Sequence, residues 1–228
     1  MKKKHIVVLT GAGISAESGL KTFRDSDGLW NGYNVYDVAS PIGWEKDPAM
    51  VLNFYNDRRR DVANAKPNAA HFGLAALEEN FDVTIITQNI DDLHERAGST
   101  NVIHLHGQIF LMRSVDDENK IYPIIENIIL GDVDKNGAQL RPHIVWFGEQ
   151  VPMMEKAFKI VNDCDYFVVV GTSLQVYPAA SLLDYAPTFL PKFIIDKKIP
   201  TIKDHHNITL IEKDATEGVA ELSKLLLS

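Results

Sequence analysis

Short apolar runs alternate with longer amphipathic segments along this chain. Four runs rich in Val, Ile and Phe, each followed by turn or polar residues, predict buried strands: His5–Leu9, Asp82–Thr87, Tyr166–Val170 and Lys192–Ile195. Apolar residues at helical spacing predict helices in three further segments: Pro67–Asn80, Pro178–Tyr185 and Thr216–Leu227. The last of these has Thr216 as its expected N-cap. The alternation predicts an α/β fold built on a doubly wound parallel sheet.

Two segments interrupt this rhythm. Asp25–Lys66 is dense in aromatic residues and contains a helix-like piece, Pro48–Ala63, whereas Gln108–Pro142 is polar and irregular. We expect these two insertions to meet as a smaller module beside the sheet. The sheet domain then comprises residues 1–24, 67–107 and 144–228, and the small module comprises residues 25–66 and 108–143.

The composition of the 228 residues is ordinary for a globular protein, and the charge narrows the classes of partner. A net charge of −8 offers no general attraction for nucleic acid or for an anionic membrane surface. Cys164 is the only cysteine, so the chain has neither an intrachain disulfide nor a thiolate metal cage. No apolar stretch is long enough to span a bilayer. We expect a cytoplasmic protein that is monomeric.

The segment after the first predicted strand has the chemistry of a phosphate-binding turn. Gly11, Gly13 and Ala16 match the relaxed G-x-G-x-x-G/A spacing of dinucleotide sites, in which glycines lead from a strand into a helix N-terminus. A Cβ at such a glycine would obstruct the tight turn and the approach of a phosphate. A short glycine pattern is weak evidence alone, and an ordinary strand-to-helix turn is the alternative.

Polar residues also follow two other predicted strands. Gln88, Asn89 and Asp91 come directly after one strand, and Gly171–Ser173 after another. Ligands of open α/β sheets bind outside the carboxyl ends of the strands, and such side chains can bind ribose hydroxyls or a carboxamide. An Asx-rich turn that caps a helix is the alternative for the first segment alone. Three strand ends of this kind favour a nucleotide site.

Two histidines lie two residues apart in the segment His104-Leu105-His106-Gly107. Imidazole is the commonest general base because its pKa lies near neutrality. On an extended segment both rings share one face, so a two-histidine metal site is an alternative, although partners at ligand spacing are absent nearby. A structural role is the other alternative. Gly107 would leave the His106 ring open to a ligand, which favours His106 over His104.

The segment Arg141–Glu149 mixes aromatic residues with a glycine. An apolar slot with backbone hydrogen-bonding edges would hold an extended peptide by strand addition. A hydrophobic core strand is an equally good interpretation of this segment by itself.

Together these segments closely resemble the sirtuin family of NAD-dependent protein-lysine deacylases. The matching motifs occur in family order and cover nearly the whole chain: GAGISAESGL (11–20), TFRDSDGLW (22–30), TQNIDDLHERAG (87–98), HLHG (104–107), VWFGE (145–149) and GTSLQVYPAA (171–180). The resemblance implies that the predicted sheet is a Rossmann-like NAD-binding domain. It also implies that acyl-lysine proteins or peptides are the partners.

The resemblance extends to the residues that bind NAD. It implies that the glycine loop binds the phosphates, that the F-R-D turn and the Q-N-I-D segment face the nicotinamide and its ribose, and that later motifs contact the adenosine. The implied residues are Gly11, Ala12, Gly13, Ala16, Phe23, Arg24, Gln88, Asn89, Asp91, Gly171, Thr172, Ser173, Asp196 and Ala215. Many sirtuins carry Asn at the position of Asp196, where a carboxylate can equally accept from sugar hydroxyls.

The resemblance also implies a mechanism and its residues. The acyl oxygen attacks the ribose as nicotinamide leaves, a histidine then deprotonates a ribose hydroxyl, and water releases lysine and an O-acyl-ADP-ribose. The implied catalytic residues are His106 as the base, Asn89 and Asp91. The acyl-lysine peptide is expected to lie along Val145, Phe147, Gly148 and Glu149.

A second resemblance narrows the acyl group. Tyr55 and Arg58 match the Tyr-x-x-Arg pair of the sirtuin branch that removes acidic acyl groups, and Ala39 matches its small acyl-pocket residue. Positions i and i+3 share a helix face, and a guanidinium can bind the carboxylate of a succinyl or malonyl tail. The alternative is an amphipathic helix with Arg58–Arg60 in solvent. We expect succinyl and malonyl groups to be substrates, and acetyl groups as well.

The chain departs from the family pattern in its metal site. Most sirtuins hold a structural zinc with four cysteines between the H-G and F-G-E motifs, but this interval has none, and Ser114 stands where the first is expected. Zinc is therefore not expected. Two other functions stay open on the same scaffold: an ADP-ribosyltransferase or NAD glycohydrolase, and a sensing module that binds NAD without turnover.

Overall fold

The structure, a computed structural model, describes residues 2–22, 29–30, 32–202 and 206–228. The strands in these residues are β1 (His5–Thr10), β2 (Leu29–Trp30), β3 (Tyr33–Asn34), β4 (Asp82–Thr87), β5 (Val102–His104), β6 (Gly107–Ser114), β7 (Ile121–Pro123), β8 (Leu140–Ile144), β9 (Tyr166–Val170), β10 (Lys192–Ile195) and β11 (Ile208–Ile211). The α-helices are α1 (Gly13–Ala16), α2 (Val35–Val38), α3 (Pro41–Lys46), α4 (Pro48–Asn64), α5 (Ala69–Ala76), α6 (Leu93–Ala97), α7 (Met154–Asn162), α8 (Leu182–Tyr185) and α9 (Ala215–Leu227).

Six of the described strands form one parallel sheet, in the order β11-β10-β9-β1-β4-β5. The chain adds strands outward from β1 in both directions, so the strand order reverses at β1. Such a reversal opens a crevice at the carboxyl ends of the central strands, where doubly wound sheets bind their ligands. The crevice therefore lies beside the ends of β1, β4 and β9.

Helices cover both faces of this sheet, which is why its central strands are nearly continuous apolar runs. On one face α5 and α9 pack over a buried cluster that includes Leu74 and Val219. On the other face α7 and α8 pack over a second cluster that includes Val161 and Leu182. A Cβ at Gly73 of α5 would lie 2.8 Å from Cγ1 of Val219. Gly73, a poor helix former, thus permits the close approach of α5 to α9.

A three-stranded antiparallel sheet, in the order β7-β6-β8, lies in the Gln108–Pro142 insertion and its borders. Helix α4 holds it through buried polar side chains. Asn56 exchanges two hydrogen bonds of 2.9 Å with the backbone of Ile128. The guanidinium of Arg59 donates to the carbonyl oxygens of Ile109, at 2.9 Å, and Glu126, at 3.1 Å. The two insertions thus contact each other, while the exact domain bounds remain a prediction.

The four predicted strands are confirmed, the first with Thr10 added at its end. The apolar pattern does not reveal β5 or β11, because β5 has only three residues and β11 is partly exposed at the sheet edge. The predicted helix Pro48–Ala63 is confirmed as α4. The predicted helix Thr216–Leu227 is confirmed as α9, with Ala215 added at its start. The α-helices within Pro67–Asn80 and Pro178–Tyr185 are shorter than expected, since both segments include a short 3₁₀ turn.

The prediction of Thr216 as an N-cap is wrong. Helix α9 begins at Ala215, so Asp214 holds the capping position and Thr216 lies inside the first turn. The amide and hydroxyl of Thr216 instead donate to the carboxylate of Glu17, at 3.0 and 2.7 Å. None of the described helices is both long enough and apolar enough to cross a membrane.

Candidate active site

The turns after β1 and β9 touch each other at the crevice. The amide of Gly13 donates to the oxygen of Gly171 at 2.8 Å, and that of Gly11 to the oxygen of Val170 at 3.0 Å. A Cβ at Gly13 would lie 2.7 Å from Cα of Gly171, and one at Gly11 would lie 2.7 Å from Cβ of Thr172. Glycine is required at positions 11 and 13 because the two backbone segments are in contact here. The reason expected from the sequence was a different one, namely space for an approaching phosphate.

A cleft runs from these turns to α4 and the segment after β8. Most of the predicted site residues line it: Gly11, Ala12, Gly13, Ala39, Tyr55, Arg58, Gln88, Asn89, Asp91, His106, Val145, Phe147, Gly148, Glu149, Gly171, Thr172 and Ser173. Three other predicted residues are not among the residues that line the cleft: Ala16 at the end of α1, Asp196 directly after β10 and Ala215 at the start of α9. Phe23 and Arg24 lie outside the described residues.

Ser15, a residue to which the sequence motifs assigned no role, joins the turn after β1 to the residues that follow β4. Its buried hydroxyl donates to the Asp91 carboxylate at 3.1 Å and accepts from the side-chain amide of Asn89 at 3.2 Å. Asn89 also donates to the oxygen of Gly11 at 3.1 Å. Burial raises the pKa of Asp91, while hydrogen bonds from Leu93 and Ser15 oppose the rise. The sequence feature that could have identified Ser15 is its hydroxyl four residues, or one helical turn, after Gly11.

His106 and His104 have different hydrogen-bond partners, which separates their chemistry. The Nδ1 atom of His106 lies 2.9 Å from the oxygen of Gln88, and a carbonyl only accepts, so Nδ1 carries the proton and Nε2 is the basic atom. Burial lowers the pKa of His106, which favours the neutral ring. Both nitrogens of His104 face acceptors, the Glu95 carboxylate at 2.7 Å and the Asn89 oxygen at 3.2 Å.

The His104 ring is therefore held as a cation. Burial lowers the pKa of His104, but the Glu95 carboxylate outweighs burial and the net pKa is raised. A protonated ring that donates from both nitrogens has no lone pair for a metal or for a substrate proton. His104 supports the Asn89 backbone, and His106 is left as the candidate base.

Tyr55 and Arg58 lie on one face of α4 and are 0% and 5% exposed. The Tyr55 hydroxyl accepts a hydrogen bond from the indole nitrogen of Trp146 at 3.1 Å. The Arg58 guanidinium lies 5.6 Å from the ring centre of Trp30, and its ion pair with Asp61 is long, at 3.8 Å. Its buried Nε has no hydrogen-bond partner among the described residues. A buried cation with so weak a counter-ion can accept an anionic ligand.

Of the two interpretations of Arg141–Glu149, the core strand holds only as far as Ile144. The following residues form a turn in which the Phe147 amide donates to the Ala39 oxygen at 2.9 Å and the Trp146 amide to the Glu149 carboxylate at 2.8 Å. The strand therefore ends before the aromatic turn, and peptide binding along Val145, Phe147, Gly148 and Glu149 stays a prediction.

The comparisons with known proteins agree with this geometry. The chain matches the model of the Sir2 family over residues 11–178. It is 49% identical over 224 residues to an NAD-dependent protein deacylase of Helicobacter pylori, which covers 98% of both chains. It is 50% identical over 230 residues to an NAD-dependent protein deacylase of Bacteroides thetaiotaomicron, again over 98% of both chains. The chain belongs to the Sir2 family. The predicted sirtuin resemblance is confirmed at this level.

Solved structures of Sir2 proteins share the fold. A Sir2 homologue in complex with ADP-ribose has a TM-score of 0.89 and 39% identity, and the match covers 97% of this chain and 91% of that chain. A complex of a Sir2 homologue with NAD has a TM-score of 0.88 and 39% identity, covering 99% and 90%. The predicted fold class, a Rossmann-like parallel sheet with a smaller module, is confirmed.

In the described residues of the small module, no group of three or more His, Cys, Asp or Glu side chains is placed to hold a metal. Near Ser114, the buried Asp134 carboxylate instead pairs with the Lys120 ammonium at 3.0 Å. Asp134 also accepts from the amides of Asn136 and Ala138, at 2.8 and 3.1 Å. One carboxylate, one ammonium and no thiolate do not fit zinc.

Proposed function

We propose that this Sir2-family enzyme removes succinyl and malonyl groups, as well as acetyl groups, from lysine side chains of proteins in an NAD-dependent reaction. The related bacterial proteins are named NAD-dependent protein deacylases. The preference for acidic acyl groups rests on one observation, the buried Arg58 guanidinium that lines the cleft beside Tyr55 and whose ion pair among the described residues, with Asp61, is long. The proposal includes a monomeric, cytoplasmic enzyme.

The polar groups at the crevice fit NAD as the co-substrate. Asp91 and Asn89 offer a buried carboxylate and a side-chain amide, the acceptor and donor that a carboxamide and a ribose require. The turns at Gly11–Gly13 and Gly171–Ser173 place backbone groups at the strand ends for the phosphates and the adenosine. Bound NAD supplies a ribose carbon that becomes electrophilic as nicotinamide leaves. The Sir2 homologues with bound NAD and ADP-ribose support this assignment.

His106 is the proton acceptor in this proposal. Its Nδ1–H is held by the Gln88 oxygen, so the ring has one orientation and presents a basic Nε2 atom. The lowered pKa keeps the ring neutral at physiological pH. The ring lines the same cleft as Asn89 and Asp91, where it can take a proton from a ribose hydroxyl.

Tyr55 and Arg58 bind the acyl tail. Burial raises the pKa of Tyr55 far above its ordinary value, so the phenol stays neutral and keeps a proton to donate. Burial lowers the pKa of Arg58, but an arginine starts so high that the guanidinium stays charged. A guanidinium and a phenol together form charge-assisted hydrogen bonds to a carboxylate. Ala39, which is 3% exposed, leaves space for the longer tail.

Replacement of Arg58 by Met tests the acyl preference. A hydrogen bond to a charged group is worth about 1.5–3 kcal/mol, so Arg58→Met is expected to lower kcat/KM on a succinyl-lysine peptide by about 10- to 100-fold. The loss on the acetyl-lysine version of the same peptide is expected to be much smaller. Arg60→Met is the matched control, since Arg60 lies on α4 but is exposed and pairs with Asp57. Equal losses on both peptides for Arg58→Met would contradict the proposal.

The release of nicotinamide distinguishes the alternatives. A deacylase releases nicotinamide only when an acyl-lysine peptide is present, because the acyl oxygen is the nucleophile. Release without peptide would favour an NAD glycohydrolase or an ADP-ribosyltransferase. Tight NAD binding without release, even with acylated peptide, would favour a sensing module. The expected result is nicotinamide release that requires the peptide and is matched by the amount of deacylated peptide formed.

A further inference from the structure

Four side chains form a continuous path from the turn after β8 to the acyl end of the cleft. The Glu149 carboxylate accepts from the Arg141 guanidinium at 2.8 and 3.1 Å. The Arg141 guanidinium lies over the Trp146 ring, 3.3 Å from its centre. The Trp146 indole donates to the Tyr55 hydroxyl at 3.1 Å. Each contact fixes the group that makes the next one.

The ion pair at the start of this path is well held. Glu149 also accepts from the backbone amide of Trp146 at 2.8 Å and from the Arg113 guanidinium at 3.4 Å. Burial raises the pKa of Glu149, but the Arg141 guanidinium outweighs burial and the net pKa is lowered, so the carboxylate stays charged. Arg141 also donates to the oxygen of Ile144 at 2.8 Å. The guanidinium therefore has little freedom to leave the indole face.

The contact between Trp146 and Tyr55 determines the direction of the phenolic proton. An indole N–H only donates, so the Tyr55 oxygen must accept in this bond. A phenol has a single proton. Because the Tyr55 oxygen uses a lone pair to accept from Trp146, its proton is available to donate to another partner. Donation into the oxygen also polarises the O–H group and strengthens it as a donor. Both rings are nearly inaccessible, at 2% and 0% exposure, so water does not compete.

We propose that Trp146 is a specificity-determining residue that positions Tyr55 for an acyl carboxylate, and that Arg141 and Glu149 position Trp146. This inference rests on the proposed preference for acidic acyl groups. The indole N–H holds the phenol so that its proton points to the carboxylate, whereas an acetyl group offers no anion at that position. Loss of the N–H should therefore raise KM for succinyl peptides and leave kcat at saturation little changed, the pattern of lost ground-state binding.

The variants Trp146→Phe, Tyr55→Phe and their double combination test this role. Phenylalanine keeps an aromatic ring under Arg141 but removes the N–H. On a succinyl-lysine peptide, Trp146→Phe is expected to lower kcat/KM by about 3- to 10-fold, through KM, and by less on the acetyl-lysine peptide. The double variant should lose no more than Tyr55→Phe alone, because both single changes remove the same oriented donor.

Glu149→Gln provides a second test that keeps every ring in place. The amide retains an acceptor but removes the charge that holds Arg141, so the ratio of succinyl to acetyl kcat/KM should fall in the same direction. Melting temperatures of all variants report whether the fold is kept. Trp146→Phe losses that are equal on both peptides, or that add fully to those of Tyr55→Phe, would assign Trp146 a purely structural role and overturn the inference.

Failure of the proposed function has a different signature. If the unaltered enzyme removes no succinyl group, or if Arg58→Met affects both peptides equally, the acidic preference itself is wrong and the inference falls with it. If Arg58→Met shows the expected selective loss while Trp146→Phe and Glu149→Gln do not, only the positioning role is wrong.

Discussion

The two histidines of the H-L-H-G segment show how neighbouring residues acquire opposite chemistry. His104 faces two acceptors, Glu95 and the Asn89 oxygen, and is held protonated. His106 faces one acceptor, the Gln88 oxygen, and is held neutral by burial. Their spacing puts them in the same strand-end segment, yet only the partners on other segments decide which one can act as a base.

The pH dependence of activity follows from His106. Its pKa is lowered, so the ring is neutral at pH 7 and becomes protonated only below about 6.5, the ordinary value for histidine. We expect kcat/KM for an acetyl-lysine peptide to be constant near neutral pH and to fall as the pH decreases through that lowered pKa. A profile from pH 5 to 8.5 checks this, and His106→Ala should lower the rate by about 100-fold or more. A midpoint above pH 7, or an active alanine variant, would refute the assignment.

At the scale of elements, helix α4 serves both parts of the molecule. Tyr55 and Arg58 face the cleft, whereas their neighbours Asn56 and Arg59 bind the backbone of the Gln108–Pro142 insertion. Two i, i+3 pairs, offset by one residue, give the helix two polar faces. A displacement of this insertion would therefore move Tyr55 and Arg58 as well.

The small module has an internal ion pair between Lys120 and the buried Asp134. The Lys120 ammonium holds the pKa of the Asp134 carboxylate far below its ordinary value. A depressed carboxylate pKa contributes stability above the pKa of the unfolded chain, about 4, and the contribution is lost as the pH falls below it. The pair and the surrounding amides thus order this hairpin at neutral pH.

Asp134→Asn is expected to destabilise the protein. The side chain is buried and accepts from Lys120 and two backbone amides, so we expect Tm at pH 7 to fall by on the order of 5 °C. The difference from the unaltered protein should shrink below pH 4, where the carboxylate loses its advantage. Asp117→Asn is the matched control, since Asp117 is a more exposed and more distant partner of the same lysine, at 3.9 Å. Equal effects of the two changes would argue against a special role for Asp134.

At the scale of the whole molecule, the sheet buries two more histidines beneath the crevice. The His71 and His94 rings are in contact, with centres 5.0 Å apart, and each has a nitrogen without a hydrogen-bond partner among the described residues. Burial, with a smaller effect of Arg96, lowers the pKa of His71 to about 4. The unfolded chain therefore takes up this proton first, near pH 6.5, and stability that is complete above that pH is lost as the pH falls towards 4.

Acid unfolding is expected to reveal this contribution of His71 to stability. Between pH 6.5 and 4 the protonation of His71 in the unfolded chain should remove about 3 kcal/mol of unfolding free energy. His71→Gln keeps an acceptor for the Asn68 amide but cannot titrate, so its unfolding free energy should change less over this range. Urea unfolding at several pH values measures both slopes. Parallel slopes would show that the loss arises elsewhere.

Much of the fold and site can be predicted from the chain because these features are local. The four predicted strands, the residues that follow them and the spacing of Tyr55 and Arg58 are all set within short windows. The apolar pattern does not predict β5 and β11, because β5 is short and β11 is partly exposed. These two segments become strands by pairing with β4 and β10. Thr216 is misassigned because its partner, Glu17, lies 199 residues away.

The sequence by itself determined the Sir2 motifs, the parallel strand pattern, the candidate base His106 and the lack of zinc cysteines, since each needs only residue identity and spacing. The tertiary structure alone decided why Gly11 and Gly13 must be glycine, that Ser15 links Asn89 to Asp91, and which histidine stays neutral. It also decided that Trp146 meets Tyr55 across 91 residues. Burial and hydrogen-bond partners control these properties, and both arise only when distant segments pack together.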